Sequence, residues 1–124
     1  MKKDKIYYEQ IAPYSEYLTW YHEQDKQEYE KPSVTNDSII LAWDNENLSL
    51  NFLAIKRKQH PYRGKYALPG GFVEIDEEIE ASVLRKVKEE TNLTITADRI
   101  EQLKTFGGVN RDPRMRIITV AHLV

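Results

Sequence analysis

Between Gly70 and Leu93 the chain crowds seven of its 20 acidic residues into a stretch whose apolar positions recur at helical spacing. Ile79, Val83 and Val87 stand at i, i+4 and i+8, so residues 78–91 are predicted to form an amphipathic helix behind a glycine turn. This pattern constrains the fold more than any other, because so acidic a helix must put one stripe on a core and the rest in water or against cations. At about 100° per residue, with Ile79 at zero, Val83 falls near ~40° and Val87 near ~80°. Glu90 falls near ~20°, inside the apolar arc, with Lys86 and Glu89 on its edge. A carboxylate aimed at a core is costly unless it is paired, protonated or bound to a cation. Adjacent Glu89 and Glu90 offer oxygen ligands only, which suits Mg²⁺ or Mn²⁺. A solvated charge run on a surface helix accounts for the same carboxylates, and their number alone does not decide between the two.

That helix must belong to a single modest domain, since the chain has 124 residues. It contains no cysteine, which excludes a disulfide framework, cysteine-ligated zinc or iron–sulfur, and a thiol nucleophile. With 18 Lys and Arg against 20 Asp and Glu, there is no electrostatic case for nucleic-acid binding within residues 1–124. The longest wholly apolar run, residues 39–43, is far too short to cross a bilayer. No apolar segment follows the basic start, so it is not a secretory signal. The expectation is a soluble, cytoplasmic globular chain with no membrane partner.

Residues 1–33 differ from the rest. Seven of the 13 aromatics, Tyr7, Tyr8, Tyr14, Tyr17, Trp20, Tyr21 and Tyr29, precede Pro32, whereas all five glycines lie between Gly64 and Gly108. Pro13 and Pro32 bracket a stretch free of helix breakers, and Ser15 is a candidate N-cap. Tyr14, Tyr17, Leu18, Tyr21 and Gln24 recur at helical spacing, predicting a helix over 15–30 with an aromatic stripe. Such a stripe suits docking on the domain or a homodimer through this N-terminal helix. Mixed charge argues against a stacking platform for bases.

From Val34 onward the chain is β-rich. Residues 34–43 and 48–57 read as two apolar runs joined through Asp44-Asn45-Glu46-Asn47, a hairpin signal. Residues 67–73 read as short extended pieces on either side of a glycine turn, and 100–106 and 116–124 as further strands. The order helix, strands, helix, strands predicts an α+β fold with a mixed sheet, divided into an N-terminal helical extension (1–33) and a domain (34–124). Residues 116–124 read as a buried strand with nothing after it, so the domain is expected to be truncated at its C-terminal end.

The spacing of Gly71, Glu77, Arg85, Val87, Glu89, Glu90 and Leu93 resembles the box of the Nudix (MutT-like) hydrolase superfamily, G-x5-E-x7-R-E-U-x-E-E-x-G-U with U aliphatic. Seven of nine defined positions match in one register, after the lead-in Leu68-Pro69-Gly70-Gly71. Residues 106–124, with Arg111-Asp112-Pro113-Arg114 before a strand, look like the subgroup of ADP-ribose pyrophosphatases and Nudix-related regulators of NAD metabolism. The resemblance implies an α/β/α sandwich with a mixed sheet. It also implies hydrolysis of a nucleoside diphosphate linked to another group, ADP-ribose-like, with a divalent metal such as Mg²⁺ or Mn²⁺. By position, Glu89 and Glu90 would hold metal and carry the chemistry, Glu77 and Arg85 would brace the box, and Gly70 and Gly71 would bring backbone close to the ligand. Arg57, Arg111 and Arg114, from the basic clusters flanking the box, are candidates for phosphate and ribose recognition, for which the bidentate fork of arginine is suited.

Two positions depart from the box. Asn92 stands at its last glycine and tolerates the same left-handed backbone. Lys86 stands at the glutamate after the arginine, three and four residues before Glu89 and Glu90, where its ammonium can pair with both. It also removes a ligand or base, a loss of about 10²–10⁴ in rate where general-base catalysis depends on it. The alternative to an active hydrolase is therefore a catalytically weakened ADP-ribose-sensing domain, controlling a DNA-binding domain beyond Val124.

Overall fold

A computed structural model describes residues 2–24 and 30–124. It divides into two compact units, Met1–Lys31 and Pro32–Val124.

The first unit holds α1 (Lys5–Gln10) and α2 (Tyr14–Glu23). Asp4 caps α1, its carboxylate accepting the Tyr7 N–H at 3.0 Å. Helix α2 is shorter than the predicted 15–30. Pro13, not Ser15, precedes it, the Ser15 carbonyl accepts the Thr19 hydroxyl inside it, and Gln24 is already extended. Residues 25–29, Tyr29 among them, lie outside the described residues. From α1, Tyr8 stacks on Trp20, a ring outside the predicted stripe, with centroids 4.8 Å apart. Six residues are too few for periodicity to reveal α1, although Asp4 three residues before Tyr7 carries the cap signal. No described residue of this unit is buried.

The second unit contains β1 (Ser33–Ile39), β2 (Leu41–Asp44), β3 (Ser49–Phe52), β4 (Ile55–Lys56), β5 (Tyr66–Ala67), β6 (Gly70–Phe72), α3 (Ile79–Thr91), β7 (Glu101–Phe106) and β8 (Ile117–Leu123). Four strands form one mixed sheet in the order β6-β1-β8-β7, with β1 and β8 parallel and the other pairs antiparallel. This is the α+β class with a mixed sheet. Strands β2 and β3 form the hairpin expected around Asp44, whose Oδ1 accepts the Glu46 N–H at 2.9 Å. The run 34–43 is not one strand, because pairing changes at Ile40: β1 joins the main sheet and β2 the hairpin. Nor is it apolar throughout, since Thr35, Asn36 and Ser38 are buried.

Helix α3 packs on the sheet through Val83 and Val87, both fully buried, with Ile40 completing a core cluster. Each valine contributes roughly 1.5–3 kcal/mol by burial. Ser82 is buried beside them, accepting the Asn36 amide at 2.8 Å and donating to the Ile79 carbonyl at 2.6 Å. Asn92 ends the helix in the left-handed conformation (φ 63°), as its place in the box requires. Strand β8 is buried over most of its length, as its apolar run predicts. No helix among the described residues is long and apolar enough to cross a membrane.

Gly70 and Gly71 lie inside β6, paired with Asp37 and Asn36, rather than in a turn between extended pieces. Neither carries a positive φ. What they supply is room: a Cβ on Gly70 would run into the Asn36 carbonyl, and one on Gly71 into the end of the Lys86 side chain.

Candidate ligand-binding site

The sheet register and the packing of α3 on β6 open a cavity of about 720 Å³ over Gly70 and Gly71. Arg57, Lys65, Lys86, Arg111 and Arg114 line it, against the carboxylates of Asp37, Glu90 and Asp112. A recess of about 370 Å³ adjoins it, sharing Arg57, Gly70 and Glu90 and bringing in Glu89, Lys56 and Lys58. The cationic excess and the half-buried glycine backbone on its wall suit a polyanionic ligand, and the size suits a nucleotide. Arg63 and Arg116, which lie close in sequence to these arginines, line neither space.

Glu77 and Arg85 form the brace that the box implies. Arg85 Nε donates to Glu77 Oε2 at 2.7 Å and its Nη2 to Oε1 at 2.8 Å, while Nη2 also reaches the Phe72 carbonyl at 3.1 Å. Helix and β6 are thereby tied at the cavity wall. The Arg85 hydrogen bonds pull the Glu77 carboxyl down to about 2, assisted by the Glu74 N–H.

Glu89 and Glu90 sit together near the end of α3, but neither is free. Lys86 Nζ lies 3.2 Å from Glu89 Oε2 and 3.5 Å from Glu90 Oε1. Arg85 Nη1 reaches Glu89 Oε1 at 3.3 Å. Hydrogen bonds from Lys86, then Arg85, hold the Glu89 carboxyl below its ordinary range. The apolar arc at Glu90 ends in the cavity rather than in the core. Its side chain is 26 % exposed and its Oε1 faces the Gly70 N–H at 3.4 Å. A divalent cation of the Mg²⁺ kind asks for near-octahedral oxygen coordination. Here the two carboxylates already share an ammonium, and no cluster of three or more acidic or histidine side chains forms among the described residues. As they stand, these residues do not fit a resident divalent ion.

The loop before β8 brings Arg111 and Arg114 to the same cavity. Asp112 holds Arg114 through Nε at 3.1 Å and Nη2 at 3.0 Å, and the guanidinium lies 5.4 Å from the centre of the Phe72 ring. Arg111 Nη1 donates to the Ile117 carbonyl at 3.2 Å. Arg57 Nε donates to the Pro61 carbonyl at 2.6 Å. All three guanidiniums are thus preoriented at the cavity wall.

Asp37 is the site residue that sequence reasoning missed. It sits on β1, accepts the Thr119 hydroxyl, and lines the cavity. Burial pushes its carboxyl up, against the hydrogen bond from Thr119 and the charge of Arg111. The signal was Thr35-Asn36-Asp37-Ser38, four polar residues interrupting a strand otherwise read as apolar.

The chain is similar to several known proteins. The chain is 41% identical over 100 residues to an ADP-ribose pyrophosphatase of Methanocaldococcus jannaschii, covering 77% of this chain and 52% of that protein. It thus spans about half the length of that relative. A MutT/nudix family protein from Enterococcus faecalis superposes with a TM-score of 0.89 at 47% identity, over 100% of this chain and 49% of that one. The NUDIX domain of Shewanella oneidensis NrtR, complexed with ADP ribose, gives a TM-score of 0.77 at 32% identity, over 91% and 70% respectively. The model of the NUDIX domain matches residues 34–124, the unit that carries the brace, the glycine strand and the cavity, and the chain therefore belongs to the NUDIX family.

Proposed function

We propose that this domain binds a nucleoside diphosphate sugar of the ADP-ribose class and hydrolyses it slowly or not at all. The observation that carries the reading is the ammonium of Lys86, placed against Glu89 and Glu90 on the wall of a cavity otherwise rich in arginine. Arg57, Arg111 and Arg114 supply charge-assisted hydrogen bonds to the diphosphate and ribose. Gly70 and Gly71 let the ligand approach backbone, and the Glu77–Arg85 pair holds that wall in place. The ADP-ribose pyrophosphatase of M. jannaschii and the ADP ribose complex of the Shewanella domain support this choice of ligand.

NUDIX hydrolases generally use divalent metals. Mg²⁺ or Mn²⁺ at Glu89 and Glu90 would enter here only by displacing Lys86, and the chain lacks the glutamate that the box places there. Loss of such a base costs about 10²–10⁴ in rate. A weakened site of this kind suits a sensing module that reports ligand to a further domain, DNA-binding in the reading given above. Active hydrolysis is the second reading, favoured by the retained Glu77, Arg85, Glu89 and Glu90. Isothermal titration with ADP-ribose tests the proposal: saturable one-site binding is expected, and the absence of saturable heat with correctly folded protein overturns it.

A further inference from the structure

We infer that Lys86 is this site's built-in substitute for the divalent metal, and that the ligand's diphosphate binds to its ammonium without any metal ion. The inference rests on the reading of the cavity as an ADP-ribose-class site and specifies how that site holds phosphate. Three observations converge on it. The Lys86 side chain is only 22 % exposed and lies along β6, where a Cβ on Gly71 would collide with Cε and stand 3.1 Å from Nζ. The bare glycine thus forms a track for the lysine. Glu89 and Glu90 then fix the ammonium from the helix side at 3.2 and 3.5 Å. Finally, Lys86 lines the large cavity together with Glu90, Gly70 and Gly71, so the group held this way borders the space the ligand would fill.

An ammonium has three N–H donors and no acceptor. One donates to Glu89 at 3.2 Å, while Glu90 pairs with the charge at 3.5 Å, which leaves an N–H for a phosphate oxygen. The carboxylates thereby act as positioning residues for a cation, the task they would otherwise perform for a metal. A divalent ion brought to the same carboxylates meets the repulsion of Lys86 and must strip its own hydration shell. Phosphate requires no such exchange, because the cation is already in place and desolvated on one side.

The test is equilibrium binding of ADP-ribose to the whole chain, in EDTA and again in millimolar Mg²⁺, for the wild type, Lys86→Met and Lys86→Glu. The wild type should give dissociation constants within about twofold of each other in the two buffers. Lys86→Met should bind at least about tenfold more weakly in EDTA, the loss of one charge-assisted contact. Lys86→Glu should bind only when Mg²⁺ is present. Wild-type binding that requires Mg²⁺ overturns the inference while leaving the ADP-ribose reading intact. Unchanged affinity of Lys86→Met in EDTA also overturns it. Failure of the wild type to bind in either buffer overturns the ADP-ribose reading itself, and this inference with it. The wild-type comparison needs no variant to fold.

Discussion

Replacing each of the two adjacent glycines by alanine should give opposite results, although neither has a backbone conformation that alanine would resist. In Gly70→Ala the new methyl overlaps the Asn36 carbonyl and lies 3.1 Å from the Asp37 Cα, both rigid parts of β1. Strand β6 must move away at the Asp37–Gly70 pair. Overpacking costs ~1–3 kcal/mol and each backbone hydrogen bond lost about 1 kcal/mol, giving roughly 2–4 kcal/mol in all. For a unit of this size each kcal/mol lowers Tm by ~4–8 °C, so a fall of ~10–30 °C is expected. In Gly71→Ala the methyl meets the end of the Lys86 side chain, which can rotate away by giving up its carboxylate pairs. The ion pairs lost are worth about 0–1 kcal/mol, and alanine recovers ~0.4–1 kcal/mol by restricting the unfolded chain, so Tm should stay within about 5 °C. Thermal unfolding by circular dichroism measures both. Equal losses, or a larger loss for Gly71→Ala, would refute the placement of β6 against β1 and of Lys86 over Gly71.

Acid unfolding should report the Glu77–Arg85 brace. The folded Glu77 carboxyl sits at about 2 against an ordinary 4.5, so its stabilisation is complete above 4.5 and is lost as pH falls towards 2. Urea midpoints for Glu77→Gln should fall less steeply across that window than those of the wild type, and parallel slopes would remove the brace. Asp112, also near 2 through Arg114, should leave a residual slope in the variant. Calorimetric titration with Mg²⁺ or Mn²⁺ should give tighter binding for Lys86→Glu than for the wild type, since the ammonium on Glu89 and Glu90 becomes a further carboxylate; equal affinity would exclude Lys86 as the competitor. Changing both Arg111 and Arg114 to alanine should weaken ADP-ribose by roughly 10- to 100-fold, somewhat less than two full charge-assisted contacts because both groups already have protein partners. An unchanged dissociation constant would return that loop to ordinary surface.

The legible parts of this sequence were those governed by local periodicity or by fixed spacing. Ile79, Val83 and Val87 announced α3 within one residue of its start, and Asp44 marked the hairpin turn because its side chain binds the turn backbone directly. The pairing of Lys86 with both glutamates followed from helix geometry alone. What depended on sheet register was not legible. That Gly70 and Gly71 lie in a strand, and that Asp37 faces the cavity, is set by the pairing of β1 with β6 and β8, contacts between residues more than 30 positions apart. The end of α2 at Glu23 was overestimated because no breaker stands between Pro13 and Pro32, and the propensity of the intervening residues is only a weak guide to where a helix stops.

Whether the site holds an ADP-ribose-class ligand without consuming it can be read from phosphorus NMR of ADP-ribose mixed with an equimolar amount of protein in Mg²⁺. Diphosphate resonances shifted or broadened by binding are expected to persist, with no monophosphate signals of AMP and ribose 5-phosphate over the minutes of acquisition, in which a typical turnover near ~10 s⁻¹ would convert all the ligand. Unperturbed diphosphate signals, or their rapid replacement by the two monophosphates, would contradict that expectation.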